Sequence, residues 1–179
     1  MVEVENILKL KPQIIKTNRL LLKNISDNDL NRVTYLLTNQ EISKTYMVPN
    51  FNSEEEVIKL FEILKKISNN EKRFTYGIYL EDNLIGLIND VDIENQTIEL
   101  GFVIDPEYKN NGYATEVLSK AINVLFEMGY EVINTGAFEE NIASIKVMEK
   151  SKMTRLNKTL DIDYRGLMHR CVCFQISKN

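Results

Sequence analysis

The segment from Lys109 to Thr115, between a predicted strand and a predicted helix, has the composition of an anion-binding loop. The first N–H groups of a helix lack partners within the helix and carry the positive end of its dipole. Gly112 has no Cβ and Ala114 has a small side chain, so the backbone can approach a ligand closely. The loop has neither the Gly-Lys-Ser/Thr of a Walker loop nor the glycine spacing of a Rossmann fingerprint. It therefore predicts a site for a phosphate-bearing cofactor, and turn chemistry alone is the alternative.

Asn141 and Ser144 flank the start of a predicted short helix. An Asn at this place is a common N-cap, and capping alone would explain it. Alternatively, Asn141 holds a ligand amide while Ser144 presents its hydroxyl to the same ligand. A helix N-terminus would then stabilise an anion that develops nearby, such as a leaving thiolate.

Glu99 is an acid within an otherwise apolar predicted strand, and alternation places it opposite the face of Ile98 and Leu100. It is either a solvent-facing strand residue or a general base in a cleft. Partial burial in a cleft would raise the pKa of its carboxyl and suit it to accept a proton near neutral pH.

The elements around these residues alternate between strands and helices in the order β, α, α, three strands, α, β, α, β, β. Ser26 and Ser53 each begin a capping signature for a helix. We expect a polar turn at 90–96 and polar loops at 38–52 and 157–169. The remaining elements are predicted at 19–25, 74–80, 84–88, 97–104, 132–138, 153–156 and 171–176 for strands, and at 114–128 and 141–150 for helices. The fold class is therefore α/β (α+β): one domain over residues 1–179, with a mixed, mostly antiparallel sheet of about six to seven strands and helices on both faces.

Composition limits the class of protein. The 179 residues are 44% hydrophobic and 27% charged, as in ordinary globular proteins. A net charge of −4 argues against nucleic-acid binding, and no apolar run is long enough to cross a bilayer. The N-terminus does not resemble a signal peptide, and Cys171 and Cys173 are too close on one strand for an unstrained disulfide. We expect reduced thiols, a cytoplasmic location and no metal, since His169 is the only His.

Several short segments of the sequence indicate a resemblance to a known family when they are taken together and in order. They are Thr17-Asn-Arg19-Leu-Leu-Leu-Lys, Tyr76-Gly-Ile, Leu84-Ile-Gly86, Glu99-Leu-Gly-Phe, Asp105-Pro-Glu-Tyr-Lys-Asn-Asn-Gly-Tyr-Ala-Thr-Glu116, and Asn141-Ile-Ala-Ser144 with Met148-Glu-Lys150. Together they resemble the GNAT superfamily of acetyl-CoA-dependent N-acetyltransferases. Within it, they resemble the RimJ/RimL-type subgroup of ribosomal-protein N-terminal acetyltransferases. The resemblance covers about residues 14–177, nearly the whole chain.

This resemblance implies where acetyl-CoA would bind. The strand ending at Ile104 is expected to splay from the strand at 132–138 and to form the gap that takes the pantetheine arm. Asn141 would contact that arm or order the site, and Lys109 replaces the family's Arg or Gln as a point charge for phosphate. The implied pantetheine-binding residues are Phe102, Val103 and Ile104, and the implied pyrophosphate-binding residues are Lys109, Asn110, Asn111, Gly112, Tyr113, Ala114 and Thr115.

The resemblance also implies direct attack of an amine on the acetyl thioester in a ternary complex. Glu99 would act as the base through a water, and a backbone N–H would stabilise the oxyanion. Met148 stands where many members have a Tyr that protonates the thiolate, and a thioether cannot donate a proton. Ser144 is then the candidate acid, unless the thiolate leaves without one. Lys152 replaces the Gly that usually follows this helix, so strain is expected there.

The acceptor is a primary amine, of either a protein N-terminus or a small molecule. By analogy with the family it enters between the 38–52 loop with the first two helices and the 157–169 loop. The candidate acceptor residues are Tyr46, Phe51, Asp161, Asp163 and Tyr164. The loop acids could equally be solvated surface residues. Two other functions remain open: a non-catalytic acyl-CoA-binding or regulatory module on the same fold, and a protein-interaction domain that does not bind CoA. The resemblance also suggests a homodimer.

Overall fold

One sheet of eight strands crosses the molecule in a computed structural model, which describes residues 8–179. The strands are Ile14–Lys16 (β1), Leu21–Lys23 (β2), Tyr76–Leu80 (β3), Asn83–Glu94 (β4), Thr97–Ile104 (β5), Val132–Phe138 (β6), Thr154–Tyr164 (β7) and Leu167–Ser177 (β8). The α-helices are Leu30–Thr38 (α1), Glu54–Ser68 (α2), Tyr113–Met128 (α3) and Ile142–Lys150 (α4). Short 3₁₀ turns lie at Asp27–Asp29, Ile42–Lys44 and Pro106–Tyr108.

The strand order is β1-β2-β3-β4-β5-β6-β8-β7. Each neighbouring pair is antiparallel except β5 and β6, which are parallel and joined through α3. The predicted α/β class with a mostly antiparallel sheet is confirmed, with eight strands instead of six to seven. Over residues 8–179, no helix combines the length and the apolar character that a membrane crossing requires.

The two faces of the sheet carry separate hydrophobic clusters. In β5, Ile98 and Leu100 face one cluster, which includes the apolar stripe of α3. Val103 projects to the other face, where the second cluster includes buried residues of α1 and α2. Because side chains alternate along a strand, Glu99 shares its face with Val103 and not with α3.

Helix ends follow the predicted signals. Ser53 Oγ accepts a hydrogen bond from Glu56 N at 3.3 Å, so it caps α2 as predicted. Gly129 has a φ of 107°, and this left-handed conformation ends α3 at Met128, where the predicted helix 114–128 also ends.

Two predictions for the first half of the sheet, one of a strand and one of a turn, were wrong. The segment predicted as one strand at 19–25 contributes only β2, and β1 precedes it across a turn in which Thr17 N donates to Leu20 O at 3.0 Å. The predicted polar turn at 90–96 is also wrong, because β4 continues to Glu94 and only Asn95 takes a left-handed φ, of 53°. Exposed strand residues alternate polar and apolar, and this pattern resembles a turn when it is judged by polarity alone.

The predicted polar loop at 157–169 was wrong as well. Strands β7 and β8 continue through it and form a long hairpin. Its tip has Arg165 and Gly166 with φ of 55° and 77°, as a two-residue turn of type I′ requires. β7 is an edge strand with mostly exposed residues, so it lacks the apolar content of an interior strand.

Candidate active site

The parallel strands β5 and β6 pair only over their first halves. Register pairing begins at Thr97 with Val132 and ends at Leu100 with Thr135. Thr135 Oγ1 donates to Leu100 O at 2.9 Å, so a side-chain hydroxyl bonds the carbonyl of the last paired residue of β5. Beyond this point both strands continue without pairing to each other, which leaves a gap in the middle of the sheet.

The gap exposes one set of peptide groups of β5. Asp105 N donates to Ile85 O at 2.8 Å, which sets the phase of the antiparallel ladder between β4 and β5. Because alternate residues exchange the ladder bonds, Val103 is bonded toward β4. Phe102 and Ile104 therefore direct their N–H and C=O groups toward the gap. Of the three predicted pantetheine-binding residues, Phe102 and Ile104 direct backbone groups into the gap, whereas Val103 contributes only its side chain.

A cavity of about 930 Å³ opens at the gap and reaches both faces of the sheet. It is lined by most of the predicted site residues, namely Tyr46, Glu99, Phe102, Val103, Ile104, Lys109, Asn110, Gly112, Tyr113, Ala114, Thr115, Asn141 and Ser144. Asn111 lies outside its lining. The Asn111 amide instead donates to Tyr108 O and Lys109 O at 3.1 and 3.0 Å, so it shapes the loop.

The N-terminus of α3 borders this cavity. Gly112 precedes the helix with a φ of 78°, a left-handed conformation that glycine adopts without strain. The first bond of the helix runs from Glu116 N to Gly112 O, so the N–H groups of Tyr113, Ala114 and Thr115 have no acceptor within α3. These residues line the cavity, at the place where the sequence predicts an anion site.

Lys109 is not a free cation at this loop. Its Nζ lies 2.7 Å from Glu41 Oε1, and both side chains are exposed. The hydrogen bond and the charge of Lys109 lower the pKa of Glu41, as an ion pair does. The predicted point charge for phosphate is therefore shared with Glu41.

Hydrogen bonds from Thr17 and Arg19 to Glu116, which no local sequence pattern predicts, hold the first turn of α3. We call this set of contacts the clip. Glu116 accepts hydrogen bonds from Thr17 Oγ1 at 2.5 Å, Arg19 N at 2.8 Å and Arg19 Nε at 2.7 Å. The guanidinium of Arg19 also lies 4.5 Å from the ring centre of Tyr113. Burial alone would raise the pKa of Glu116, but these donors lower it. The Thr17-Asn-Arg19 motif thus positions the start of α3.

Ser144 and Asn141 form a pair at the start of α4. Asn141 Oδ1 accepts from Ser144 N at 3.2 Å, and Asn141 Nδ2 donates to Ser144 Oγ at 2.9 Å. Capping therefore occurs, but the second bond also leaves the Ser144 hydroxyl hydrogen free to be donated into the cavity. Met148, at the family's usual Tyr position, is fully buried in the core.

Glu99 lies on the cavity wall at the closed end of the gap, where its side chain is open to solvent on one side and covered by the wall on the other. Desolvation raises the pKa of its carboxyl, and the charge of its register partner Asp92 raises it further. Lys158 opposes this shift. A carboxyl with a raised pKa is better able to take a proton near neutral pH, as the base role requires.

The predicted acceptor residues are not brought together. Tyr46 lines the cavity, and burial raises the pKa of its hydroxyl to about 12. Phe51 lies in a separate hollow of about 580 Å³ beside α1 and α2. Asp161 is 3.7 Å from Arg170 Nε, and Asp163 accepts from Gly166 N in the hairpin turn. Both acids occupy odd positions of β7, whereas its even positions face the cavity.

Tyr164, the remaining predicted acceptor residue, has a supporting position. Its hydroxyl donates to Ser43 O at 2.8 Å and accepts from Val48 N at 3.3 Å. It thus ties the hairpin tip to the loop that carries Tyr46.

Other polar residues line the Glu99 side of the cavity and were missed. Tyr46 donates to Asn89 Oδ1 at 2.8 Å, and Gln175 Nε2 donates to Asn134 Oδ1 at 2.9 Å. Lys158 and the two cysteines lie in the same wall. The alternation of Leu156, Lys158, Leu160 and Ile162 could have identified the cavity-facing side of β7, had that segment been assigned as a strand.

Comparisons with known proteins agree with this geometry. The uncharacterized N-acetyltransferase YoaA of Bacillus subtilis (strain 168) is 30% identical over 142 residues, which covers 76% of this chain and 80% of YoaA. An acetyltransferase (GNAT family) from Bacillus anthracis is similar in structure, with a TM-score of 0.79, 25% identity, and coverage of 92% of this chain and 98% of its own. The Microcin C7 self immunity acetyltransferase MccE, solved in complex with acetyl-CoA and AMP, shares the fold at a TM-score of 0.81 and 17% identity, over 95% of this chain and 99% of its own.

The family itself is defined by a match over most of the chain. The model of the acetyltransferase (GNAT) domain matches residues 19–154, which include the loop before α3, the unpaired half of β5 and the cap of α4. The predicted acyltransferase class is confirmed at this level. The chain belongs to the GNAT acetyltransferase family.

Proposed function

We propose that the protein transfers the acetyl group of acetyl-CoA to a primary amine by direct attack in a ternary complex. The observation that carries this proposal is one continuous cavity that joins the α3 N-terminus, the unpaired half of β5, Ser144 and Glu99. Membership of the GNAT family and the acetyl-CoA complex of MccE support the donor. The acceptor is either a protein N-terminus or a small-molecule amine.

The residues present fit acetyl-CoA. The free N–H groups at the start of α3 suit its pyrophosphate, and the peptide groups of Phe102 and Ile104 suit the amides of its pantetheine arm. Asn141 borders the same passage, between the loop and the gap. When bound, acetyl-CoA supplies an acetyl thioester whose carbonyl carbon is open to an amine nucleophile.

Two residues then carry out the proton transfers, one at each end of the gap. Glu99 takes a proton from the attacking amine, through a water, and its raised pKa brings it closer to the working pH. An N–H of the unpaired half of β5 donates to the developing oxyanion. Ser144 keeps a free hydroxyl hydrogen for the departing sulfur because Asn141 donates to its oxygen.

The finer assignments are part of the same proposal. The motifs at Thr17–Arg19 and Asn141–Ser144 favour a RimJ/RimL-type member, which would acetylate protein N-termini. Cys171 and Cys173 are both free thiols, in keeping with a reducing compartment such as the cytoplasm. A homodimer also remains part of the proposal.

An amine-panel assay of thiol release, paired with calorimetric CoA binding, tests the function. We expect Glu99→Gln to lower kcat/KM by about two to three orders of magnitude with CoA affinity unchanged, since it removes only the base. Gly112→Glu should instead abolish CoA binding, because it adds bulk and negative charge at the anion site. Glu107→Gln, on the exposed turn before the loop, serves as the matched control.

Two results would contradict the proposal. CoA binding without thiol release on any amine or peptide N-terminus would favour a non-catalytic acyl-CoA module. Unchanged CoA affinity in Gly112→Glu would remove the loop from the cofactor site.

A further inference from the structure

A row of polar side chains crosses the sheet beside the gap, on the face opposite α3. Asp92, Glu99, Asn134 and Gln175 are successive register partners on β4, β5, β6 and β8. Because cross-strand partners project to the same face, these side chains form one continuous row. Glu99, Asn134 and Gln175 line the cavity. The row is therefore the polar floor on which an acceptor would lie.

Lys158 stands at the far side of this floor. Lys158 lies where the pairing of β7 with β8 is irregular, and it lines the cavity together with Leu160 and Ile162, so these side chains border the same space. Lys158 lines the cavity together with Cys173 and Gln175. Its charge also acts on Glu99, where it opposes the rise in the pKa of that carboxyl. The acid and the amine of these two side chains thus face the same space.

Lys158 has no salt-bridge partner within residues 8–179. Its charged neighbours are paired: Arg155 is 3.3 Å from Glu139, and Arg170 is 3.7 Å from Asp161. Glu99 is likewise without a cationic partner at salt-bridge distance in the described chain. Of the two acids in the row, Asp92 and Glu99, only Glu99 lines the cavity. It therefore faces the ammonium of Lys158 across the floor, and neither group is in a salt bridge within the described residues.

Asn134 adds a directed donor between these charges. Its Oδ1 accepts from Gln175 Nε2 at 2.9 Å, which leaves both hydrogens of its own amide for a ligand. A donor and a cation on the same floor suit an anionic group. A second cation on the acceptor would be repelled by Lys158, and a neutral chain would leave it unused.

We propose that the acceptor is an amine that also carries an anionic group, a carboxylate or a phosphate, and that Lys158 binds this group while Glu99 receives the amine. The inference rests on the proposed function, because it names the substrate class of that same cavity. It makes Lys158 a specificity-determining residue that contacts the acceptor and not the cofactor.

A panel of primary amines of similar chain length tests this assignment. It consists of 4-aminobutyrate, 3-aminopropyl phosphate, butylamine and 1,4-diaminobutane, assayed by thiol release from acetyl-CoA. We expect the wild type to favour one or both anionic amines over butylamine by about tenfold in kcat/KM, the effect of one charge-assisted contact. The two anionic amines distinguish a carboxylate from a phosphate. Lys158→Met should remove the preference, and Lys158→Glu should shift it to the diamine.

The control is Lys59→Met on the exposed side of α2, which removes one charge away from the cavity and should keep the preference. The KM for acetyl-CoA should stay the same in all variants. Calorimetric binding of the same amines in the presence of CoA provides a readout that needs no turnover.

The outcomes separate the two proposals. Thiol release that is equal across the panel, or highest with the diamine in the wild type, would overturn this inference and leave the proposed function intact. Absence of thiol release with every amine of this panel and with every peptide N-terminus would count against the proposed function. In that case, calorimetric binding that does not favour the anionic amines would overturn this inference too.

Discussion

Lys152 adopts a backbone conformation that is costly for its residue type. Its φ is 64°, in the left-handed region. Lys152 N donates to Glu149 O at 3.0 Å and Met153 N to Met148 O at 3.1 Å, so the turn that ends α4 keeps the bonds of a glycine-terminated helix. The sequence predicted strain at this position from the missing glycine. The structure locates that strain in one residue, and the chain is not rerouted.

Lys152→Gly should therefore stabilise the protein by about 0.5–1 kcal/mol, since the relief of left-handed strain outweighs the greater freedom of glycine in the unfolded chain. Chemical denaturation at neutral pH measures the change. Lys152→Ala is the matched control, because it removes the charge and keeps the strain, and it should leave stability nearly unchanged. An equal gain from both variants would attribute the effect to charge.

The clip between Thr17, Arg19 and Glu116 acts at the level of a whole helix. An acid in the first turn of a helix normally competes with a bound phosphate for the same N–H groups. Here three donors hold the Glu116 carboxylate and offset its charge. The N-terminus of α3 is thereby kept available for an anionic ligand.

Arg19→Met should raise the KM for acetyl-CoA by about tenfold with kcat little changed, because it leaves the Glu116 charge beside the anion site. The double variant Arg19→Met/Glu116→Gln should recover most of the lost affinity, since it removes that charge as well. Steady-state kinetics over a range of salt concentrations measures both. A double variant no better than Arg19→Met would mean that the clip has only a structural role.

The same clip shows which parts of the site the sequence could predict. The loop at 109–115, the cap at Asn141 and the acid at Glu99 carry local signals, and each lines one cavity in the folded chain. The contact between Arg19 and Glu116 joins residues far apart in the chain, and no local pattern encodes such a pairing. Lys158 was missed for another reason: β7 is a polar edge strand, and its polar residues favour the prediction of a loop.

Lys11 connects the first described segment to the rest of the molecule. Its buried Nζ donates to Ser68 O at 2.5 Å, Thr75 O at 2.9 Å and Asn24 Oδ1 at 2.9 Å. These acceptors belong to the end of α2, the approach to β3 and the segment after β2. Burial lowers the pKa of the Lys11 ammonium to about 8, and Asp90 opposes this shift.

The sign of this shift predicts how overall stability depends on pH. A base whose pKa is lower in the folded than in the unfolded state loses its proton more easily when the protein is folded. The folded state therefore becomes more stable as the pH rises from about 8, the pKa of Lys11 in the folded protein, toward the higher pKa of Lys11 in the unfolded chain. The free energy of unfolding of the wild type, measured relative to Lys11→Met, should increase between pH 7.5 and 9.5. Denaturation series at several pH values test this, and a flat difference would contradict it. Lys178→Met, at the exposed end of the chain, is the control.

The short pairing between β5 and β6 has a mechanical consequence for the whole molecule. Strands β1 to β5 form one panel and β6 to β8 another. Within the sheet formed by residues 8–179, only the pairs from Thr97–Val132 to Leu100–Thr135 join the two panels. The open end of the gap between the two panels lies at Ile104 and Phe138. A ligand arm that bonded to the open edge would act as a further strand and brace the two panels against each other. Binding of acetyl-CoA would then make the sheet more rigid along the line where its strands are least paired, so part of the rigidity of the sheet would come from the bound acetyl donor.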